Sequence, residues 1–269
     1  MYKMGDYVAA IAQYDKAIKC GSTEPSFYTN RAAANLALKR YGDVIEDCSK
    51  ALAIDANFVK AHLRAGKAHL MLGHLDDADR SFNSALLKEP RNTAALDEKK
   101  LVSLTRQRVE RAEKLLVAND LAMARNLISA ALATCPAAYN VQLLEVQVLI
   151  ALNKFDDAYA KTTNLMRGNQ SDPKLLLLRA RCLYFQDSLD NAIKHLQQAL
   201  RSDPDATACA KELRKLRKLQ VAKAAGNDAF KAGRWPEAIA KYTECLGIDP
   251  DNRLYNSKLH ANRAAALMK

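Results

Sequence analysis

Aromatic residues make up only 6% of this 269-residue chain, and the 9 Gly and 7 Pro are few for its length. Beside abundant Ala, Leu and Lys, that scarcity predicts a nearly all-helical protein. No apolar run reaches eighteen residues and no signal peptide opens the sequence, so neither a membrane span nor secretion by that route is expected. The six cysteines (Cys20, Cys48, Cys135, Cys182, Cys209 and Cys245) contain no CxxC pair and sit singly inside helical patterns. They read as buried free thiols of a reducing compartment, cytosol or nucleus. The five histidines form no HExxH and none pairs with Cys at metal spacing. His62 and His69 lie seven apart and read as structural or surface groups, and no GxxxxGK phosphate loop occurs. No metal, cofactor or catalytic constellation is therefore expected, and the chain does not read as an enzyme.

What is present is positive charge and periodicity. The formal net charge is +11, so anionic partners come into consideration. Two stretches, 97–114 and 211–227, hold many of the cations. Both keep Leu, Val or Ala at three- and four-residue spacing, as amphipathic helices with charged outer faces do. No aromatic residue interleaves with these charges to stack on bases, which argues against nucleic acid.

The segments 5–18, 75–90, 189–204 and 235–250 align with one another. Each shows a small residue, a bulky one four later, a small one three beyond and, in most, a proline five further on: Ala78, Phe82, Ala85, Pro90, then Ala192, Leu196, Ala199, Pro204. The beat is thirty-four residues, from Ala32 to Gly66, from Ala51 to Ala85 and from Ala124 through Ala158 to Ala192. Small residues on facing helices let two backbones approach, and proline stops the second helix because it lacks a backbone donor. From Pro90 to Pro136 and from Pro204 to Pro250 the spacing is forty-six, about twelve residues too long. The excess falls in the two basic stretches and predicts first helices lengthened there by about three turns.

A thirty-four-residue helix–turn–helix unit with this pattern resembles the tetratricopeptide repeat over essentially the whole chain. The resemblance implies an all-α fold, a right-handed superhelix (α–α solenoid) with two elongated helices between arrays. Three parts are expected: residues 1–92, an amino-terminal array; residues 93–210, a middle array; and residues 211–269, the start of a carboxy-terminal array. Gly5 takes position fifteen of a unit and Lys269 position thirteen, so the sequence reads as a fragment beginning and ending mid-repeat.

In such solenoids the first helices line a binding groove. Lys60 and Arg64, in Phe-Val-Lys-Ala-His-Leu-Arg (58–64), take groove-facing positions two and six. Two like charges one turn apart cost about 0.2–0.5 kcal/mol unless an anion lies between them. One repeat earlier, position six is Asn30. Lys223 and Asn227 take positions five and nine of a later unit and Asn262 position six of the next, whereas the middle repeats put Glu110, Leu144 and Leu178 at position six. Within the family the set resembles the dicarboxylate clamp, which holds a terminal Asp and its free carboxylate. The amino-terminal clamp lacks its opening Lys and Asn, and the carboxy-terminal one its closing Lys and Arg.

Two clamp-type arrays around a clampless trio, with Arg-Cys-Leu-Tyr-Phe-Gln-Asp (181–187) and Gly-Asn-Asp-Ala-Phe-Lys-Ala-Gly (226–233), are similar to the tetratricopeptide region of the DnaJ subfamily C member seven family. That implies a co-chaperone adaptor for the acidic carboxy-terminal tails of heat-shock proteins 70 and 90, without cofactor, nucleic acid or membrane. No His-Pro-Asp tripeptide occurs, so the chain alone is not expected to stimulate a chaperone ATPase. Chaperone-organising proteins of the Hop type are a second resemblance, and a basic scaffold for nucleic acid is the reading of a different class. The latter predicts steep salt dependence and indifference to Lys60→Ala.

Overall fold

The computed structural model describes residues 6–21 and 23–269. The truncated first helix expected at Met1, and the Gly5 turn, lie outside the described residues. Among the described residues the backbone forms fourteen helices and no strand. In order these are α1 (Tyr7–Lys19), α2 (Pro25–Ala37), α3 (Tyr41–Ile54), α4 (Val59–Leu72), α5 (Leu75–Lys88), α6 (Thr93–Val117) and α7 (Leu121–Thr134), then α8 (Tyr139–Ala151), α9 (Phe155–Leu165), α10 (Pro173–Phe185), α11 (Leu189–Ser202), α12 (Thr207–Lys231), α13 (Trp235–Ile248) and α14 (Arg253–Leu267). Even-numbered helices are the first members of the thirty-four-residue units and odd-numbered helices the second.

Prolines set the boundaries. Pro90, Pro136, Pro204 and Pro250 each stand two residues beyond a second helix, after α5, α7, α11 and α13. Pro25, Pro173 and Pro236 sit in the first turn of α2, α10 and α13, where the missing donor costs nothing. The turn from first to second helix is equally uniform. Lys39, Gly73, Asn119, Asn153, Asp187 and Gly233 all have positive φ, and each takes the same place in its unit. A left-handed residue reverses the chain after a helix and satisfies its last carbonyls.

The small positions are small for a measurable reason. A Cβ added to Gly66 would lie 2.7 Å from the Phe82 ring, and one added to Gly226 would lie 2.8 Å from the Tyr242 ring. In both units a first-helix glycine receives a fully buried second-helix aromatic sixteen residues later. Burying one such ring stabilises by about 1.5–3 kcal/mol. The two lengthened helices are present as expected: α6 and α12 have 25 residues each, against 11 to 15 for the rest. Each is tied back to the preceding second helix at the equivalent place, Arg106 to Asp76 at 2.9 Å and Gln220 to Asp190 at 2.6 Å.

The chain divides into two compact units, Met1–Glu145 and Val146–Lys269. In the first, α2 packs on α4 and α4 on α6, so first helices stand side by side as a wall. In the second, α10 stands so beside α12. One cysteine departs from expectation. Cys20 caps the end of α1 and is exposed, whereas the other five are buried. Burial pushes the Cys48 and Cys182 thiols up to about 12, so they pack as inert apolar groups.

Candidate functional site

Helix α4 is rich in Ala and Leu and turns Ala61, Ala65, Gly66 and Ala68 into the core. That choice of buried face leaves Lys60 exposed and Arg64 half-buried, one turn apart. Asn30 stands half-buried on α2, which packs on α4. No hydrogen bond or ion pair occupies any of the three among the described residues. The Arg64 guanidinium is the most exacting case, because its Nη1 is buried and has no acceptor. An unpartnered buried donor costs about 1–3 kcal/mol, more when charged, so this nitrogen is a standing demand for an anion or carbonyl. Its charge is felt by Cys48 on α3, where it opposes the upward push of burial.

The neighbouring Arg31 is in the opposite condition, and sequence reasoning missed it. Its Nη2 donates to Asp47 at 2.5 Å, its Nη1 to Asp15 at 2.5 Å and its Nε to Asp47 at 3.1 Å. Asn35 Nδ2 adds a 3.3 Å bond to Asp47, which is almost fully buried. Asp47 and Asp15 hold the Arg31 proton more tightly than usual. The same place in a later unit is Arg179, which donates to Tyr159 Oη at 2.8 Å and Thr163 Oγ1 at 2.9 Å and lies 4.2 Å from the Tyr159 ring centroid. In the last it is Arg263, bonded to Thr243 Oγ1 at 3.3 Å. The signal was available: Asn-Arg-Ala-Ala-Ala occurs at both 30–34 and 262–266.

In the second unit the structure separates the predicted trio. Asn227 and Asn262 line one cavity of about 160 Å³ together with Phe230, Lys231, Tyr242 and Ala265. Tyr242 Oη donates to Asn227 Oδ1 at 2.9 Å, which fixes the amide, and among the described residues its Nδ2 has no hydrogen-bond partner. Lys223 is not among the lining residues. Its Nζ stands 4.5 Å from the centroid of the buried Tyr255 ring, a cation–π contact. Lys231, in the last turn of α12, supplies the cation at the cavity wall and was not singled out from the sequence.

The middle repeats have none of this at position six. Glu110 is exposed, Leu144 half-buried and Leu178 buried. The acidic pairs Asp76/Asp77 and Asp156/Asp157 lie in the first turns of α5 and α9, where they complement the helix dipole. Neither helix has a side-chain hydrogen bond from its N-cap residue, His74 or Lys154. His62 places Nε2 3.1 Å from the Ala56 carbonyl oxygen and so has a structural contact. None of the described helices is long and apolar enough to cross a membrane.

A tetratricopeptide-repeat family model matches residues 143–207. The chain is 33% identical over 268 residues to DnaJ homolog subfamily C member 7 of Homo sapiens, covering 100% of this chain and 54% of that protein. It is 32% identical over 271 residues to the homolog of Dictyostelium discoideum, covering 99% and 50%. The chain thus spans about half the length of the curated relatives it matches. The crystal structure of the P58(IPK) TPR domain superposes with a TM-score of 0.67 at 18% identity, covering 98% of this chain and 75% of that one, and shows the same fold.

Proposed function

The chain is built of tetratricopeptide repeats and is similar throughout to the repeat region of DnaJ homolog subfamily C member 7; from that premise we propose that it is a co-chaperone adaptor, not an enzyme. Its ligands are the acidic carboxy-terminal tails of heat-shock proteins 70 and 90, met in the cytosol or nucleus. Residues 1–92 and 211–269 are the binding arrays, and 93–210 spaces them. The reading rests on one observation above the others. Asn227 and Asn262, thirty-five residues apart in sequence, face a single cavity in which the Asn227 Nδ2 donor is unspent. A terminal carboxylate offers the acceptors that such donors need. Asn30, Lys60 and the unpartnered Arg64 Nη1 support the same chemistry in the amino-terminal array. In the carboxy-terminal array the cation nearest the carboxylate is Lys231 rather than Lys223.

The test is a fluorescence titration with a peptide ending in Glu-Glu-Val-Asp. Binding is expected to be lost when the terminus is amidated. Lys60→Ala/Arg64→Ala and Asn227→Ala/Asn262→Ala are each expected to weaken one class of site by about ten- to a hundredfold, the equivalent of about 1.5–3 kcal/mol for a charge-assisted bond. Indifference to amidation and to both variants, with tight salt-sensitive binding of single-stranded nucleic acid instead, would reject the adaptor in favour of a basic scaffold.

A further inference from the structure

The turn between α4 and α5 carries three side chains that the peptide groove does not use. His69 lies in the last turn of α4, His74 is the residue preceding α5, and Asp77 is in the first turn of α5. One ligand atom from each lies within 4.8 Å of the other two. We propose that His69, His74 and Asp77 form a binding site for a divalent transition metal of the zinc class, which would staple the two helices of this repeat.

The turn itself makes the cluster. Gly73, at φ +75°, reverses the chain, and the His74 amide donates to the His69 carbonyl at 2.9 Å. Two imidazoles five residues apart are thereby brought close to one another, with ring centroids 6.0 Å apart and the rings tilted by 42°. Asp77 follows one helical turn after His74. Zinc binds nitrogen and oxygen donors at about 2.0–2.2 Å, which sets tetrahedral ligands about 3.3–3.6 Å apart. The cluster is therefore at most about 1.2–1.5 Å more open than a filled site, a gap that side-chain rotation can close.

A further feature of His69 points to a ligand: its Nδ1 is buried and has no hydrogen-bond partner among the described residues, so in the tautomer protonated at Nε2 a lone pair is left unused. The donor set selects the ion: two imidazoles and one carboxylate suit zinc, cobalt or nickel, whereas calcium and magnesium take oxygen. One group opposes binding. Arg80 is ion-paired with Asp77 and must release one carboxylate oxygen or share the group.

That competition supplies the test. Zinc is titrated calorimetrically into the full chain carrying Cys20→Ser, which removes the exposed thiol, and cobalt(II) is bound in parallel for its visible spectrum. About one equivalent is expected, with tetrahedral cobalt absorption. His74→Ala, at an exposed position where folding is not at stake, should weaken binding by about tenfold or more, as should His69→Ala. Arg80→Ala should tighten it, and His62→Ala should leave it unchanged. The site is overturned if zinc fails to bind, if binding survives His74→Ala undiminished, or if His62→Ala weakens it equally.

Discussion

At the scale of single residues, the two packed glycines carry the closest constraint. Gly66 and Gly226 exist so that Phe82 and Tyr242 can lie against bare backbone. Gly66→Ala is expected to destabilise by about 1–3 kcal/mol through overpacking. Gly42, in the first turn of α3, has nothing within 4 Å of an added Cβ. Gly42→Ala should instead stabilise by up to about 1 kcal/mol, and urea unfolding of the two variants should move in opposite directions. His69 and His195 give the chain an acid limb. Desolvation lowers both from the ordinary imidazole value, and Arg179, whose Nε points at His195 Nε2, adds to the effect there. A folded value below the unfolded one means no penalty above about pH 6.5, where both states are neutral. As pH falls through that range the unfolded chain takes up protons that the folded chain refuses, and stability declines until the folded rings also titrate. The double variant His69→Gln/His195→Gln should lose less stability than the parent between about pH 7.5 and about pH 5, measured by urea midpoint.

At the scale of elements, ion pairs divide by burial. Arg31 clips α1, α2 and α3 together through Asp15 and Asp47, and Asp47 has almost no water to fall back on. Arg31→Ala strands that carboxylate and should cost about 2–4 kcal/mol by urea unfolding. Lys50→Ala, which breaks an exposed pair with Glu46 within α3, should change stability by no more than about 0.5 kcal/mol. The first-to-second helix turn shows the reverse economy: geometry is kept while residue type varies. Gly, Lys, Asn and Asp all adopt the left-handed position. A sequence search for glycine alone would find two of these six turns.

At the scale of the whole chain, stability is a sum of neighbouring contacts, as in other stacked-repeat proteins. Gly66→Ala should therefore speed hydrogen exchange in α4, α5 and the helices touching them and leave α11 and α13 unchanged. Uniform acceleration along the chain would refute that locality. The net charge of +11 is spread unevenly between satisfied and free cations. Arg31 and Arg179 are spent on structure, whereas Lys60 and Arg64 have no side-chain partner among the described residues, so charge count alone does not locate the free cations.

The helices, their ends and the two long insertions were legible in the sequence. They depend on local chemistry: apolar spacing, proline at boundaries and small residues recurring at thirty-four. The same register put Asn227 and Asn262 on one groove, and the tertiary structure brings them to one cavity. Other matters were decided only by folding, because they turn on which side chains from different helices meet. Lys223 goes to the Tyr255 ring, leaving Lys231 at the cavity, since a cation beside a buried aromatic face gains more than one left in water. Arg31 is taken by carboxylates from helices on either side, sixteen residues before and after it, while Arg64 finds none. His69 reads from the sequence as a structural or surface group, yet the left-handed turn at Gly73 brings His74 and Asp77 to it. Periodicity places a residue on a face; only the close packing of neighbouring helices determines whether its charge or lone pair is already used.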